Sequence, residues 1–127
     1  MAYIEGFLVA VPVANKDAYI KAASNVLQLV KEFGVTRMVE NWGDDVPEGK
    51  VTDMRRAVKA TAEETVVFSW FEYPDKATRD AANAKMRQDP RVADMGKDMP
   101  FDGMRMIFGG FETLVADGRA GGGAYLD

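Results

Sequence analysis

Two stretches of this chain constrain its fold more than any others: YIEGFLVAVPV at residues 3–13 and ETVVFSWFEY at residues 64–73. Both are rich in aromatic and β-branched residues, and successive side chains of a strand point to opposite faces. In the first, Tyr3, Glu5, Phe7, Val9 and Val11 share one face, and Ile4, Gly6, Leu8 and Ala10 share the other. In the second, Val66, Phe68, Trp70 and Glu72 oppose Val67, Ser69, Phe71 and Tyr73. A strand that is apolar on both sides belongs in the middle of a sheet covered on both sides. Pro12 and Pro74 close the two segments, because proline cannot donate to the ladder.

The segments between them supply the cover. Asn15 can cap a helix with Asp17 in its first turn, Ile20, Ala23, Leu27 and Val30 follow helical spacing, and Gly34 is a natural stop. VTRMVENW (35–42) reads as a second strand and Gly43–Gly49 as a loop of turn formers. TDMRRAVKA (52–60) fits a short helix started by Thr52 or Asp53 that buries Met54, Ala57 and Val58, and it fits strand alternation almost as well. Asp75 caps the next helix, over 76–89, whose Ala77, Ala81 and Ala84 form a small-residue stripe for close packing on a sheet. Pro90 ends it, and RVADM adds one turn. Asp102-Gly103 is a turn signal, and RMIFGGFETLV (105–115) is the last strand, with Gly109-Gly110 marking a bulge or a close approach.

The order β-α-β-(loop)-β-α-β specifies a ferredoxin-like α+β domain, an antiparallel sheet with helices on one face. Two long helices suffice for one face only. The simplest cover for the other is a second copy, sheet against sheet, so a homodimer of the dimeric α+β barrel type is expected. Residues 1–116 form the single domain, and 117–127 a Gly-rich tail with Tyr125-Leu126 as an apolar anchor.

The composition excludes several chemistries. The chain has no cysteine, hence no disulfide, thiol nucleophile or thiolate metal site. It has no histidine, so Ser-His-Asp and Cys-His catalysis cannot occur within it. Sixteen bases against twenty acids leave −4, and ENWGDDVPEGKVTD (40–53), with five acids and one base, carries all of that excess. Without a basic surplus no nucleic-acid partner is expected. The N-terminal stretch has no basic leader and an apolar run too short to span a bilayer, so no membrane partner and a cytoplasmic location are expected.

The acidic stretch lacks the ligand spacing of a calcium loop, and Pro47 and Lys50 interrupt it, so a solvated turn is expected and no metal. Glu5, Glu72 and Glu112 sit in otherwise apolar strands and need partners, among which Arg37, Arg55, Arg56 and Arg105 are available. The paired glycines are expected to relieve crowding where strands cross at a dimer interface, and Met86, Met95, Met99, Met104 and Met106 to be adaptable filler.

The segments ENWGDDVPEGKVTD, VVFSWFEYPDKATRDAANAKMRQDPR and MPFDGMRMIFGGFE resemble the YbaA-like family of bacterial proteins of unknown function (domain of unknown function 1428). The resemblance runs from about Tyr3 to Val115 and is most specific over Met99–Glu112. It implies a dimeric α+β barrel and carries no established activity or catalytic set.

Three functions are therefore compatible with the residues. The first is a homodimer binding a small molecule, without cofactor, in a pocket between sheet and helices. Trp42, Trp70, Tyr73 and Phe108 would line it, with Arg56, Glu72 or Arg105 as polar handles. The second, by fold-level analogy, is a cofactor-free oxygenase- or isomerase-like enzyme using a carboxylate or tyrosine. The third is a structural or partner-binding dimer with no pocket.

Overall fold

The computed structural model describes residues 2–118, so the tail from 119 and its Tyr125-Leu126 anchor lie outside the described residues. In chain order the elements are β1 (Tyr3–Pro12), α1 (Lys16–Val30), β2 (Arg37–Trp42), α2 (Met54–Ala57), β3 (Glu64–Tyr73), α3 (Lys76–Gln88), α4 (Pro90–Lys97) and β4 (Ile107–Glu112). The strands form one antiparallel sheet in the order β2-β3-β1-β4, the ferredoxin-like arrangement. The two strands that are apolar on both faces are the central ones, paired without interruption from Tyr3↔Tyr73 to Pro12↔Glu64.

One face packs against α1 and α3. Val9, Val11 and Val67 are sealed there with Tyr19 of α1, while Val30 of α1 and Ala82 of α3 close over Phe71 and Tyr73. Each fully buried valine in this layer contributes roughly 1.5–3 kcal/mol relative to exposure. The opposite face is covered at one end only, where Val58 and Ala60, just after α2, pack on Leu8, Ala10 and Val66. Beyond that cover, Phe68, Ile107 and Phe111 remain 46%, 46% and 61% exposed.

Aspartates open three of the helices. The Asp53 and Asp75 carboxylates accept from the backbone N–H of Arg56 and Thr78, each at 2.7 Å. Asp89 accepts from the Arg91 N–H at 2.8 Å. Segment 52–60 is thus a short helix with Asp53, not Thr52, as its cap, and of Met54, Ala57 and Val58 only Val58 is buried. Asn15 stands at the cap position of α1, but its side-chain amide donates instead to the Pro100 carbonyl at 3.0 Å. Gly34 ends the helical segment with a φ of 111°. Side chains disfavour that left-handed conformation, and glycine adopts it freely.

Other expectations are corrected. Pro90 does not merely end α3; it occupies the first turn of α4, which runs eight residues rather than one turn. Of the alanine stripe, Ala77 and Ala81 are exposed and Ala84 is half-buried, and Ala82 is the residue fully buried on the sheet. β4 is six residues long, because Arg105 belongs to the short turn of 3-10 helix, Gly103–Arg105, that Asp102 caps. No bulge interrupts β4, which pairs in regular register with β1.

Glu5 lies on the helix-covered face and is held by a partner absent from the expected set. Arg79 of α3 donates Nε to Glu5 Oε1 at 2.9 Å, and Asn83 donates to the same oxygen at 3.1 Å. Gly110, opposite Glu5 in the register, is required within one chain. A Cβ there would overlap the Arg79 guanidinium and the Tyr3 hydroxyl.

Candidate functional site

β2 is an outer strand, paired on one side only, and α1 crosses above it. Alternation places Met38, Glu40 and Trp42 of β2 on the face beneath α1. Helical spacing places Lys16, Ile20, Ala23 and Leu27 on one stripe of α1. These two rows do not close on each other. They border a cleft of about 400 Å³, with Val67 of β3 also in its wall. Of the expected stripe, Val30 is buried and Ala23 packs on the core, while Tyr19, Val26 and Leu29, one position away from Ile20, Leu27 and Val30, make the remaining core contacts of α1. Ile20 consequently stays 54% exposed at the cleft.

The polar side chains in this mainly apolar cleft are few: Ser24 and Asn41 on its border bond to the Ile20 and Phe68 carbonyls, and Tyr19 and Glu40 bond to each other. The Tyr19 hydroxyl donates to Glu40 Oε1 at 2.6 Å. Burial raises the pKa of the Glu40 carboxyl, opposed by hydrogen bonds from Tyr19 and from Ser69, its cross-strand neighbour. Burial also raises the Tyr19 phenol, followed by the adjacent Glu40 charge and the hydrogen bond to it. Among the described residues no lysine or arginine forms an ion pair with Glu40. Lys16 instead stands over the Trp42 ring, its ammonium 5.6 Å from the centroid. At that distance the indole face attracts the cation. A carboxylate and phenol inside, and a cation over an indole beside them, can accept and return a proton and hold an anionic group.

Of the residues singled out from sequence, Trp42 alone lines this cleft. Trp70 and Glu72 lie together on the opposite sheet face, where the indole N–H donates to Glu72 Oε2 at 2.9 Å and Arg37 to the same oxygen at 3.2 Å. Tyr73 is sealed in the core, 1% exposed, and its hydroxyl has no hydrogen-bond partner among the described residues. Burial, then the nearby Glu5 charge, pushes its pKa up to about 12. Phe108 sits on the outer strand β4, 70% exposed, beside Phe7. Arg56 pairs with Asp53 and donates to the Val51 and Gly49 carbonyls, bordering a separate hollow of about 500 Å³ with Arg55, Lys59 and Glu48.

Arg105 is committed to structure. It donates to the two oxygens of Glu64 at 2.8 Å and 2.7 Å. It also donates to the Lys59 carbonyl and to Asp102. Such two-pronged, charge-assisted bonds are among the strong ones. With the Thr61 N–H, they hold the Glu64 carboxyl at about 2, below its ordinary 4.5. A depressed folded-state pKa stabilises fully above the unfolded value and is lost as pH falls through the folded one. Arg105→Ala is therefore expected to lower Tm at neutral pH, with the gap to wild type narrowing between pH 4.5 and 2. Thermal melts across that range check it, and a constant gap would show that the arginine acts through packing alone.

Tyr19 and Lys16 were not singled out by sequence reasoning, and Glu40 was weighed only as one of the acids of the stretch 40–53. The signal for Glu40 is its parity with Met38 and Trp42, which separates it from the acidic loop that follows. Among the described residues no helix is long and apolar enough to cross a membrane.

Known proteins bear out the family resemblance. The uncharacterized protein YbaA of Escherichia coli strain K12 is 59% identical over 115 residues, covering 91% of this chain and 98% of that one. The same protein of Shigella flexneri matches equally. A solved dimeric ferredoxin-like protein from an uncultured marine organism is similar over 92% of this chain and 98% of its own, with 16% identity and a TM-score of 0.48. Residues 2–103 match the family described as protein of unknown function DUF1428, and the chain belongs to that family.

Proposed function

We propose that this chain acts as a homodimer, sheet against sheet, and binds a small molecule in the cleft between α1 and β2. The observation that carries the binding reading is the hydrogen-bonded Glu40–Tyr19 pair in a cleft of about 400 Å³ whose walls are mainly apolar, with Lys16, Ser24 and Asn41 also on its border. That volume lies in the range of small-molecule sites, and a few convergent polar groups on apolar walls are their usual chemistry. The ligand favoured is a planar, mainly apolar molecule with an anionic end. Its body fits against Trp42, Ile20 and Met38, and its charge beside Lys16. The dimer reading is supported by the apolar side chains left uncovered on the far sheet face.

The chain has two tryptophans, so Trp70→Phe leaves Trp42 as a reporter inside the cleft. Titration of that variant with phenylacetate, indole-3-acetate and phenylpyruvate is expected to give saturable quenching. Lys16→Glu should weaken it roughly tenfold, about 1.4 kcal/mol. No saturable change with any of the three would remove the binding reading and leave a structural dimer.

A further inference from the structure

We propose that Glu40 is the base of a cofactor-free proton-transfer site acting on small 2-oxo acids that carry a planar apolar side chain. The inference deepens the binding reading and rests on it. A carboxylate is a weak base in water, and desolvation strengthens it by disfavouring its charged form. Glu40 meets that condition, since it lies in a cleft with mainly apolar walls, forms no ion pair among the described residues, and is desolvated by burial, which raises its pKa. Catalytic carboxylates share this environment, in which a base is held near the pKa of its task and out of bulk water. Tyr19 is a positioning residue: its hydrogen bond at 2.6 Å fixes the carboxylate from α1, while Ser69 stands across the strand pair. Lys16 supplies the complement to the substrate's own carboxylate, and Trp42 a surface for its ring.

The step balances without an oxidant or co-reactant. Ionised Glu40 removes a proton from the carbon next to the keto group. The C–H electron pair becomes the new C=C bond, and the carbonyl π pair moves onto oxygen. The protonated Glu40 then delivers its proton, to the enolate oxygen for an enol or back to carbon for the keto form. With no histidine or cysteine in the chain, a carboxylate is the natural carrier of that proton.

The test uses phenylpyruvate with the full-length protein. Exchange of its methylene protons in D2O is followed by NMR and enol formation by ultraviolet absorbance, while Trp42 quenching in the Trp70→Phe background reports binding. The expected result is exchange well above the buffer rate, reduced on the order of 100-fold in Glu40→Gln. Glu40→Asp keeps the charge but withdraws it by one methylene. It serves if the glutamine variant does not fold, and should lose on the order of tenfold. Tyr19→Phe should lower kcat with KM nearly unchanged. Quenching without exchange, or exchange equal in wild type and the Glu40 variants, overturns the proton-transfer assignment while binding stands. Neither quenching nor exchange overturns both.

Discussion

Arg79→Met is expected to destabilise the fold by about 3–5 kcal/mol, the usual penalty for leaving a buried charge without its partner. The Glu5 side chain is 5% exposed and that of Arg79 19%, so the pair is largely shielded from solvent and its loss is not repaired by water. Asn83 keeps one hydrogen bond to Glu5, which offsets part of the desolvation and none of the charge. The guanidinium also lies 5.2 Å from the centre of the Tyr3 ring, so the variant loses that cation–π contact as well. Against a total stability of about 5–15 kcal/mol, the change is a large fraction of the whole. Urea unfolding at one fixed protein concentration measures it, and a loss below about 1 kcal/mol would mean that Glu5 is solvated after all. Replacing both residues, as Glu5→Leu with Arg79→Met, should recover much of the loss, because apolar substitutes for a buried pair are often neutral. Gly110→Ala should then be less harmful in the Arg79→Met background than in wild type, since one of the two groups its Cβ would strike is gone.

That ion pair also shows where sequence reasoning reached and where it stopped. β1 and β3 were legible because ten consecutive residues with two apolar faces leave few alternatives to a central strand. The Asp75 cap and the Gly34 stop were legible because each depends on local chemistry. The face that a helix presents is a smaller energetic difference. In α1, Ile20 and Tyr19 are both apolar enough to be buried, and in the folded chain it is Tyr19 that faces the sheet. In α3 the alanines could pack against anything, whereas Arg79 and Asn83 had a specific buried partner 74 and 78 residues earlier. The candidate site followed the same logic. Trp70 and Glu72 share a parity that Tyr73 does not, so strand alternation already kept them from lining one pocket. Glu40 was masked by its neighbours, since counting it with the loop acids hid its place on the apolar face of β2.

Phe68→Glu is expected to convert the proposed dimer to a monomer while leaving each domain folded. Phe68 lies on the sheet face away from α1 and α3, against Trp70 with ring centroids 5.4 Å apart. In the same layer the Phe111 ring lies over the paired glycines Gly6 and Gly109, and Ile107 stands beside them on β4. An exposed apolar surface of this kind is what sheet-to-sheet assembly covers, and a stable interface needs roughly 800 Å² per partner. Because Phe68 is already 46% exposed in the single chain, a glutamate there can remain hydrated and the sheet is undisturbed. In the proposed dimer the same carboxylate would be desolvated against apolar side chains without a partner, weakening association by on the order of 100-fold or more. Phe108→Glu is the control. It is equally aromatic and more exposed, at 70%, but its parity places it on the face of β1 and β4 shared with Phe7, so it should leave assembly unchanged. Sedimentation velocity at micromolar concentration distinguishes a species of twice 14.0 kDa from the single chain. A wild-type monomer would show that the uncovered face serves something other than a second copy. Dissociation by both substitutions alike would place the contact at the β4 edge rather than across the sheet.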